Sequence, residues 1–98
     1  KAEQYLLASI EKNPQNADAY IQLVAIYTYN DLAKTSLIEP LLLRGIIANP
    51  KESNLMIALG KYYQNKGNIE GARTYFEQAL KLNPKNTELE KELQALGK

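Results

Sequence analysis

The sequence contains no cysteine and no histidine. Without cysteine a chain has no disulfide, no thiolate nucleophile and no thiolate metal ligand, and without histidine it lacks the usual base near neutral pH and the commonest metal ligand. Most familiar hydrolase and redox chemistry is therefore excluded, and we expect no enzyme activity, no metal and no cofactor. Because the absence of cysteine fits a reducing and an oxidising compartment equally, it does not indicate where the protein works.

Net charge and long apolar runs are also missing. The 12 basic and 11 acidic residues leave a formal charge of +1, which gives no overall field to attract nucleic acid or an anionic membrane. No apolar run approaches the roughly 20 residues needed to cross a bilayer, and residues 1–12 lack the apolar stretch of a signal peptide. We therefore expect a water-soluble chain that neither binds nucleic acid nor inserts into a membrane. Since the sequence begins with lysine, we expect it to be a processed product or a piece of a longer protein.

What the sequence does contain is an internal repeat. Its 98 residues, of which 45% are hydrophobic, are enough for one domain with one small core. The dipeptide Asn-Pro occurs three times, at residues 13–14, 49–50 and 83–84. The prolines are 36 and then 34 residues apart, which indicates a period near 34.

Helical patterns fill the segments around these dipeptides. Apolar or small residues recur with the i, i+3, i+4, i+7 spacing of an amphipathic helix over residues 20–27 and again over 56–63. Breaks follow at Asn30-Asp31 and at Gly67-Asn68. A left-handed Gly67 followed by Asn68 as a helix cap predicts a tight helix-turn-helix. The predicted helices are residues 2–12, 17–29, 36–48, 53–65, 69–82 and 87–96.

The start of the third predicted helix is set at Ser36. Ser36 and Glu39 have the spacing of a capping box, and Pro40 would then lie in the first turn, where the missing amide hydrogen has no partner to lose. We expect the two extra residues of this repeat in the loop between Tyr29 and Ser36.

With these features the sequence resembles the tetratricopeptide repeat family, whose units are helix-turn-helix pairs of 34 residues. Residues 53–86 fit the family pattern best, with Met56 where the family favours tryptophan. The other matching residues in this segment are Leu59, Gly60, Tyr63, Gly67, Asn68, Ala72, Phe76, Ala79 and Pro84.

The resemblance implies a single domain over residues 1–98 with an all-α fold, a right-handed solenoid of antiparallel helix-turn-helix units with a C-terminal capping helix. Its parts are the second helix of a partial repeat (1–16), a divergent repeat with a two-residue insertion (17–52), the best-matching repeat (53–86) and the capping helix (87–98). In the divergent repeat Val24 replaces the family glycine, and Ile38 and Gly45 stand at the two small positions of its second helix.

For function, the resemblance implies a non-catalytic scaffold that binds a peptide or a helix of a partner protein. In this family the first helices of successive repeats line a concave groove. The matching positions here are Asp18, Ile21, Gln22, Ala25, Thr28, Tyr29, Asn54, Ile57, Lys61, Gln64 and Asn65. Since apolar helical stripes are usually core, Ile21 and Ile57 could instead pack against each other between adjacent repeats.

Two structural roles are the alternative. The chain could be a spacer from a longer array or from a multidomain protein. It could also form a homo-oligomer through its first helix, whose family neighbour is absent from the sequence. The apolar residues that this helix is expected to expose are Tyr5, Leu6, Leu7 and Ile10.

Two further signals for ligands have simpler explanations. Glu88, Glu90 and Glu92 could suggest a metal site, but alternate positions on a helix point about 200° apart, so we expect a solvated capping face. The sequence has 7 tyrosines, yet no basic cluster accompanies them as base stacking on nucleic acid requires. We expect Tyr20, Tyr27 and Tyr63 to lie on the core stripe.

A specialised site of the family is also absent. Some tetratricopeptide repeats bind the acidic tails of cytosolic chaperones through a clamp of Lys, Asn and Arg. The matching positions are Ile21, Ala25, Ala58, Glu88 and Glu92 in one frame, and Gln22, Asn54 and Ala58 in the frame shifted by one repeat. Neither set contains a cation, so we predict no chaperone-tail carboxylate clamp.

Overall fold

The structure, a computed structural model, describes residues 2–29 and 32–96. These residues form six α-helices and one 3-10 helix, and the described part of the chain contains no strand. The all-α fold predicted from the sequence is confirmed. The elements in chain order are α1 (Ala2–Lys12), α2 (Ala17–Tyr29), the 3-10 helix (Leu32–Leu37), α3 (Ile38–Ala48), α4 (Ser53–Asn65), α5 (Ile69–Leu82) and α6 (Thr87–Leu96).

The Asn-Pro dipeptides end three of the helices. α1 ends at Lys12, α3 at Ala48 and α5 at Leu82, each directly before the asparagine. A proline disfavours helical angles in the residue before it. Asn49 (φ −134°, ψ 68°) and Asn83 (φ −138°, ψ 78°) have accordingly left the helical region. Five of the six helices begin and end at the predicted residues, and α3 is the exception.

The predicted start of α3 at a Ser36 capping box was wrong. Leu32–Leu37 form a 3-10 helix that runs directly into α3, which begins at Ile38. Leu37, the residue before α3, has helical angles (φ −86°, ψ −10°) and no side-chain cap, whereas a capping side chain reaches the helix from a non-helical residue. The predicted break at Asn30-Asp31, with part of the predicted insertion, lies outside the described residues.

The chain divides into two compact units, residues 1–50 and 51–98. In the first unit α2 packs against α1, the 3-10 helix and α3. In the second unit α5 packs against α4 and α6. The single domain predicted over residues 1–98, its repeat boundaries and its right-handed solenoid stay predictions.

Tyr20 lies in the core of the first unit. Its side chain is fully buried, and its hydroxyl donates a hydrogen bond of 2.9 Å to the carbonyl oxygen of Pro14. Asn49 donates from Nδ2 to the same carbonyl oxygen at 3.1 Å, which joins the end of α3 to the turn after α1. The Tyr20 ring lies against Gly45 of α3, where an added Cβ would be 3.0 Å from the ring carbon Cδ1. α2 and α3 come this close because position 45 has no side chain.

A contact of the same kind joins α4 and α5 in the second unit. Phe76 of α5 is fully buried, as is Leu59 of α4. The Phe76 ring lies against Gly60, where an added Cβ would be only 2.6 Å from the ring carbon Cε1. Since real Cβ atoms essentially never come within 3.0 Å of a non-bonded neighbour, the spacing of these two helices depends on glycine at position 60.

The turn between α4 and α5 ends one helix and starts the next. Gly67 has a positive φ of 83°, its amide donates to the carbonyl oxygen of Gln64 at 3.1 Å, and the Asn68 amide donates to that of Tyr63 at 2.8 Å. These are the two hydrogen bonds of a Schellman motif. The Asn68 side chain accepts a hydrogen bond of 3.0 Å from the amide of Gly71 and so caps α5. Both parts of the predicted turn are confirmed.

Gly60→Ala is expected to destabilise the protein. Alanine is the better helix former by about 1 kcal/mol, so the change would stabilise α4 if the position had room. The Phe76 ring leaves no room, and overpacking of this kind costs about 1 to 3 kcal/mol. We therefore expect a lower free energy of unfolding, measured by urea denaturation with circular dichroism.

Two further variants control this prediction. Gln64→Ala changes an exposed residue of the same helix and should alter the free energy of unfolding by less than about 0.5 kcal/mol. Phe76→Leu makes room beside position 60, so in that background the cost of Gly60→Ala should fall by at least about 0.5 kcal/mol. An equal cost in both backgrounds would show that the ring does not set the helix spacing.

Candidate functional site

A groove of about 630 Å³ opens on the surface of the second unit. One of its walls is a stripe of α4 and another is α6, so every lining residue belongs to residues 51–98. The lining residues are Asn54, Ile57 and Lys61 of α4, then Asn86, and Glu88, Leu89, Lys91, Glu92 and Ala95 of α6.

The α4 wall is a face of that helix that the core contacts leave free. The residues that α4 buries are Leu55, Met56, Leu59 and Gly60. Asn54, Ile57 and Lys61 follow one another at intervals of three and four residues and so share a different face. Ile57 is half-buried, whereas Asn54 and Lys61 are exposed. The wall therefore presents one apolar side chain between two polar ones.

The α6 wall is held in place near both of its ends. The Oδ1 atom of Asn86 accepts a hydrogen bond of 3.1 Å from the amide of Leu89 and caps the helix. At the other end, Arg73 of α5 donates from Nη2 to the carbonyl oxygen of Leu96 at 3.2 Å. Leu89 is buried, with 3% of its surface exposed. A cap, a core contact and a terminal hydrogen bond thus position the side chains of this wall.

Glu92 differs from the other acidic residues of α6. Glu88 and Glu90 are exposed, as expected of a solvated capping face, but the expectation was wrong for Glu92, which is half-buried. Its Oε2 atom is shielded from solvent and has no hydrogen-bond partner. A buried polar atom that lacks a partner costs about 1 to 3 kcal/mol of stability, and more when it is charged.

Six of the predicted groove residues share one stripe of α2 in the first unit. Ile21 and Thr28 are half-buried, and the Thr28 hydroxyl donates to the carbonyl oxygen of Val24 at 2.7 Å. Tyr29 has 80% of its surface exposed. The other three, which are exposed, are Asp18, Gln22 and Ala25. Their contact with a partner stays a prediction.

The other five predicted groove residues lie on α4. Asn54, Ile57 and Lys61 line the groove, whereas Gln64 and Asn65 are exposed but are not among the lining residues. Whether any of these side chains contacts a partner stays a prediction.

The groove residues of α6 were missed by the sequence analysis. The sequence predicted a capping role for this helix, and Glu88 and Glu92 entered only as positions that match the carboxylate clamp, not as groove residues. A signal was present, because Glu88, Glu92 and Ala95 follow one another at intervals of four and three residues, which places them on one helix face. Extending the rule for groove helices to α6 would have found them.

The first helix is less exposed than predicted. Leu6 and Ile10 have 6% and 0% of their surface exposed, so the prediction was wrong for these two residues. Tyr5 and Leu7 are exposed, at 72% and 39%. α2 packs against α1, so the apolar side chains that α1 exposes are Tyr5 and Leu7 and not the four predicted ones.

The described residues include neither a metal-binding cluster nor a membrane-spanning helix. Within residues 2–29 and 32–96, no group of three or more His, Cys, Asp or Glu side chains could hold a metal ion. In the same part of the chain, no helix is both long enough and apolar enough to span a membrane. Of the tyrosines predicted on the core stripe, Tyr20 and Tyr27 are buried and Tyr63 is half-buried.

α4, the Gly67 turn and α5 form a helix-turn-helix pair, with α6 packed against α5. This arrangement is that of an all-α helical repeat protein. The family model of the tetratricopeptide repeat matches residues 53–86, which are this pair and the loop that follows it. Residues 53–86 therefore form a tetratricopeptide repeat, as the resemblance predicted, and repeats of this family generally serve as non-catalytic scaffolds for protein interactions. No curated protein matches the sequence.

Glu92→Met is expected to stabilise the protein. Methionine has about the length of glutamate and removes the buried oxygen that lacks a partner, so we expect the free energy of unfolding to rise by about 1 kcal/mol. Thermal and urea unfolding measure the change. Glu90→Met, at an exposed position of the same helix, should change stability by less than about 0.5 kcal/mol. An equal gain from both variants would contradict the role given to the buried oxygen.

Proposed function

We propose that the chain is a protein interaction module that binds a peptide or a helix of a partner protein in the groove between α4 and α6. The observation that carries the proposal is the half-buried Ile57 between Asn54 and Lys61 on a groove wall. An apolar anchor beside a few polar groups is how grooves hold and orient short segments. The family match supports a protein as the partner.

The dimensions and rigidity of the groove support a short segment as its occupant. A volume of about 630 Å³ has room for a few side chains. Both walls belong to helices that the core of the unit holds, so binding requires little rearrangement. The small contact area predicts modest affinity. We extend the proposal to the α2 stripe of the first unit, where Ile21 and Tyr29 are the apolar candidates for partner contact.

A structural role is the alternative function. The chain would then space other domains of a longer protein, or it would self-associate through α1. The exposed Tyr5 and Leu7 favour self-association within this alternative. Size-exclusion chromatography with light scattering tests it, because a strict monomer at high concentration would exclude self-association through this helix.

The double variant Ile57→Glu with Lys61→Glu is expected to abolish partner binding. It replaces the apolar anchor and reverses one charge of the α4 wall while leaving the buried face of α4 unchanged. The probe is a pool of acetylated and amidated random hexapeptides, titrated into the ¹⁵N-labelled chain and followed by NMR. We expect amide shifts on α4 and α6 in the parent chain and none in the variant.

The matched control is Gln78→Glu with Lys81→Glu, which makes the same change of charge at exposed positions of α5. It should bind the pool as the parent chain does. Circular dichroism should show unchanged helicity in both variants. Loss of helicity in the Ile57→Glu variant would assign Ile57 to the core. Shifts in the parent chain that lie outside both the groove and the α2 stripe would contradict the proposed sites.

We expect no binding of acidic chaperone tails to this groove. Glu88 and Glu92 lie on the α6 wall, and carboxylates of the ligand facing carboxylates of the wall oppose association. Calorimetry with a synthetic acidic peptide that has a free carboxyl terminus should show no heat of binding. Micromolar affinity would contradict the prediction.

A further inference from the structure

The α6 wall holds a carboxylate oxygen that nothing in its surroundings satisfies. Glu92 Oε2 is shielded from solvent and accepts no hydrogen bond. Glu88, one helical turn earlier, lines the same groove. Two carboxylates four residues apart on one helix repel each other. A cation in the groove would supply the missing donor and reduce this repulsion.

We propose that the groove takes up a basic side chain, from lysine or arginine, of its peptide partner, with Glu92 and Glu88 as acceptors. The inference rests on the proposed function, because it specifies what a peptide in this groove carries. An ammonium or guanidinium group offers several N–H donors together with a positive charge. Its aliphatic stem suits the half-buried Ile57 on the opposite wall.

The state of Glu92 in the free groove favours a cationic donor. A polar contact between two proteins normally requires the removal of water from both partners. Glu92 Oε2 is already shielded from water in the folded chain. A donor that reaches this atom therefore forms a hydrogen bond without the cost of removing water from the carboxylate oxygen. The side chain is half-buried on the groove wall, and the soft terminal torsion of a glutamate lets the carboxylate turn toward an occupant.

The two lysines of the groove do not change this preference. Neither donates to Glu92 Oε2, since that atom has no hydrogen-bond partner. Lys61 and Lys91 are exposed, so their ammonium groups remain hydrated, and exposed ion pairs contribute little to binding or stability. An acidic ligand side chain therefore gains less in this groove than a basic one.

Peptide pools with one fixed residue test the inference. The probes are acetylated and amidated hexapeptide pools in which a central position is arginine, lysine, leucine or glutamate and the other positions are random. The ¹⁵N-labelled full chain is titrated with each pool, and the amide shifts of α4 and α6 are followed by NMR. We expect the arginine and lysine pools to bind at least about fivefold more tightly than the leucine pool, and the glutamate pool to bind most weakly.

Charge-neutral variants assign the preference to the two glutamates. Glu88→Gln with Glu92→Gln keeps the size of both side chains and should reduce the advantage of the basic pools to less than about twofold. Glu90→Gln removes a charge from an exposed position of the same helix outside the groove. This matched control should keep the full preference for the basic pools.

The outcomes distinguish this inference from the proposed function. If no pool shifts the groove amides, both are overturned together. If the pools bind in the groove but the leucine or glutamate pool binds as tightly as the basic pools, only the inference is overturned. A full basic preference that survives Glu88→Gln with Glu92→Gln would overturn it as well.

Discussion

The Phe76 ring occupies the space that a side chain at position 60 would need, and this contact sets the distance between α4 and α5. It also sets the rotation of α4 about its own axis. With Met56 and Leu59 turned toward the core, Ile57 lies about 100° round the helix from Met56 and points away from the centre of the core face. The α4 wall of the groove is therefore a consequence of how the core is packed, and core and site cannot be varied independently here.

The first unit has a close contact of the same kind, but here the large ring belongs to the first helix of the pair and the glycine to the second. Its large ring, Tyr20, comes from α2, and the glycine that receives it, Gly45, comes from α3. At the position equivalent to Gly60 it has Val24, so the family glycine of the first helix is lost. A small residue on the second helix compensates, because cores tolerate changes that conserve total volume and pattern better than changes of single residues. The divergent repeat thus keeps one close aromatic contact between its helices.

Most helix ends could be predicted because they depend on a few adjacent residues. The Asn-Pro dipeptides and the Gly67 turn act through backbone angles and hydrogen bonds within one or two turns, which local rules capture. The start of α3 could not be predicted in this way. The Ser36 capping box is an equally local signal, but the 3-10 helix before α3 packs against α2, and that tertiary contact outweighs the cap.

The two walls of the groove differ in how far the sequence predicts them, for a physical reason. The α4 wall follows from helical periodicity and family position. The lining positions of the α6 wall follow from the same periodicity, but the burial of Glu92 does not, because local rules assign a charged residue on a polar helix to solvent. Its burial arises because the buried Leu89 and the hydrogen bond from Arg73 of α5 to Leu96 hold α6 against the unit. A small domain has a free energy of unfolding of only about 5 to 15 kcal/mol, so a carboxylate oxygen without a partner is a substantial cost. In the proposed complex a basic group of the ligand removes this cost on binding, so Glu92 would link the stability of this unit to the proposed function.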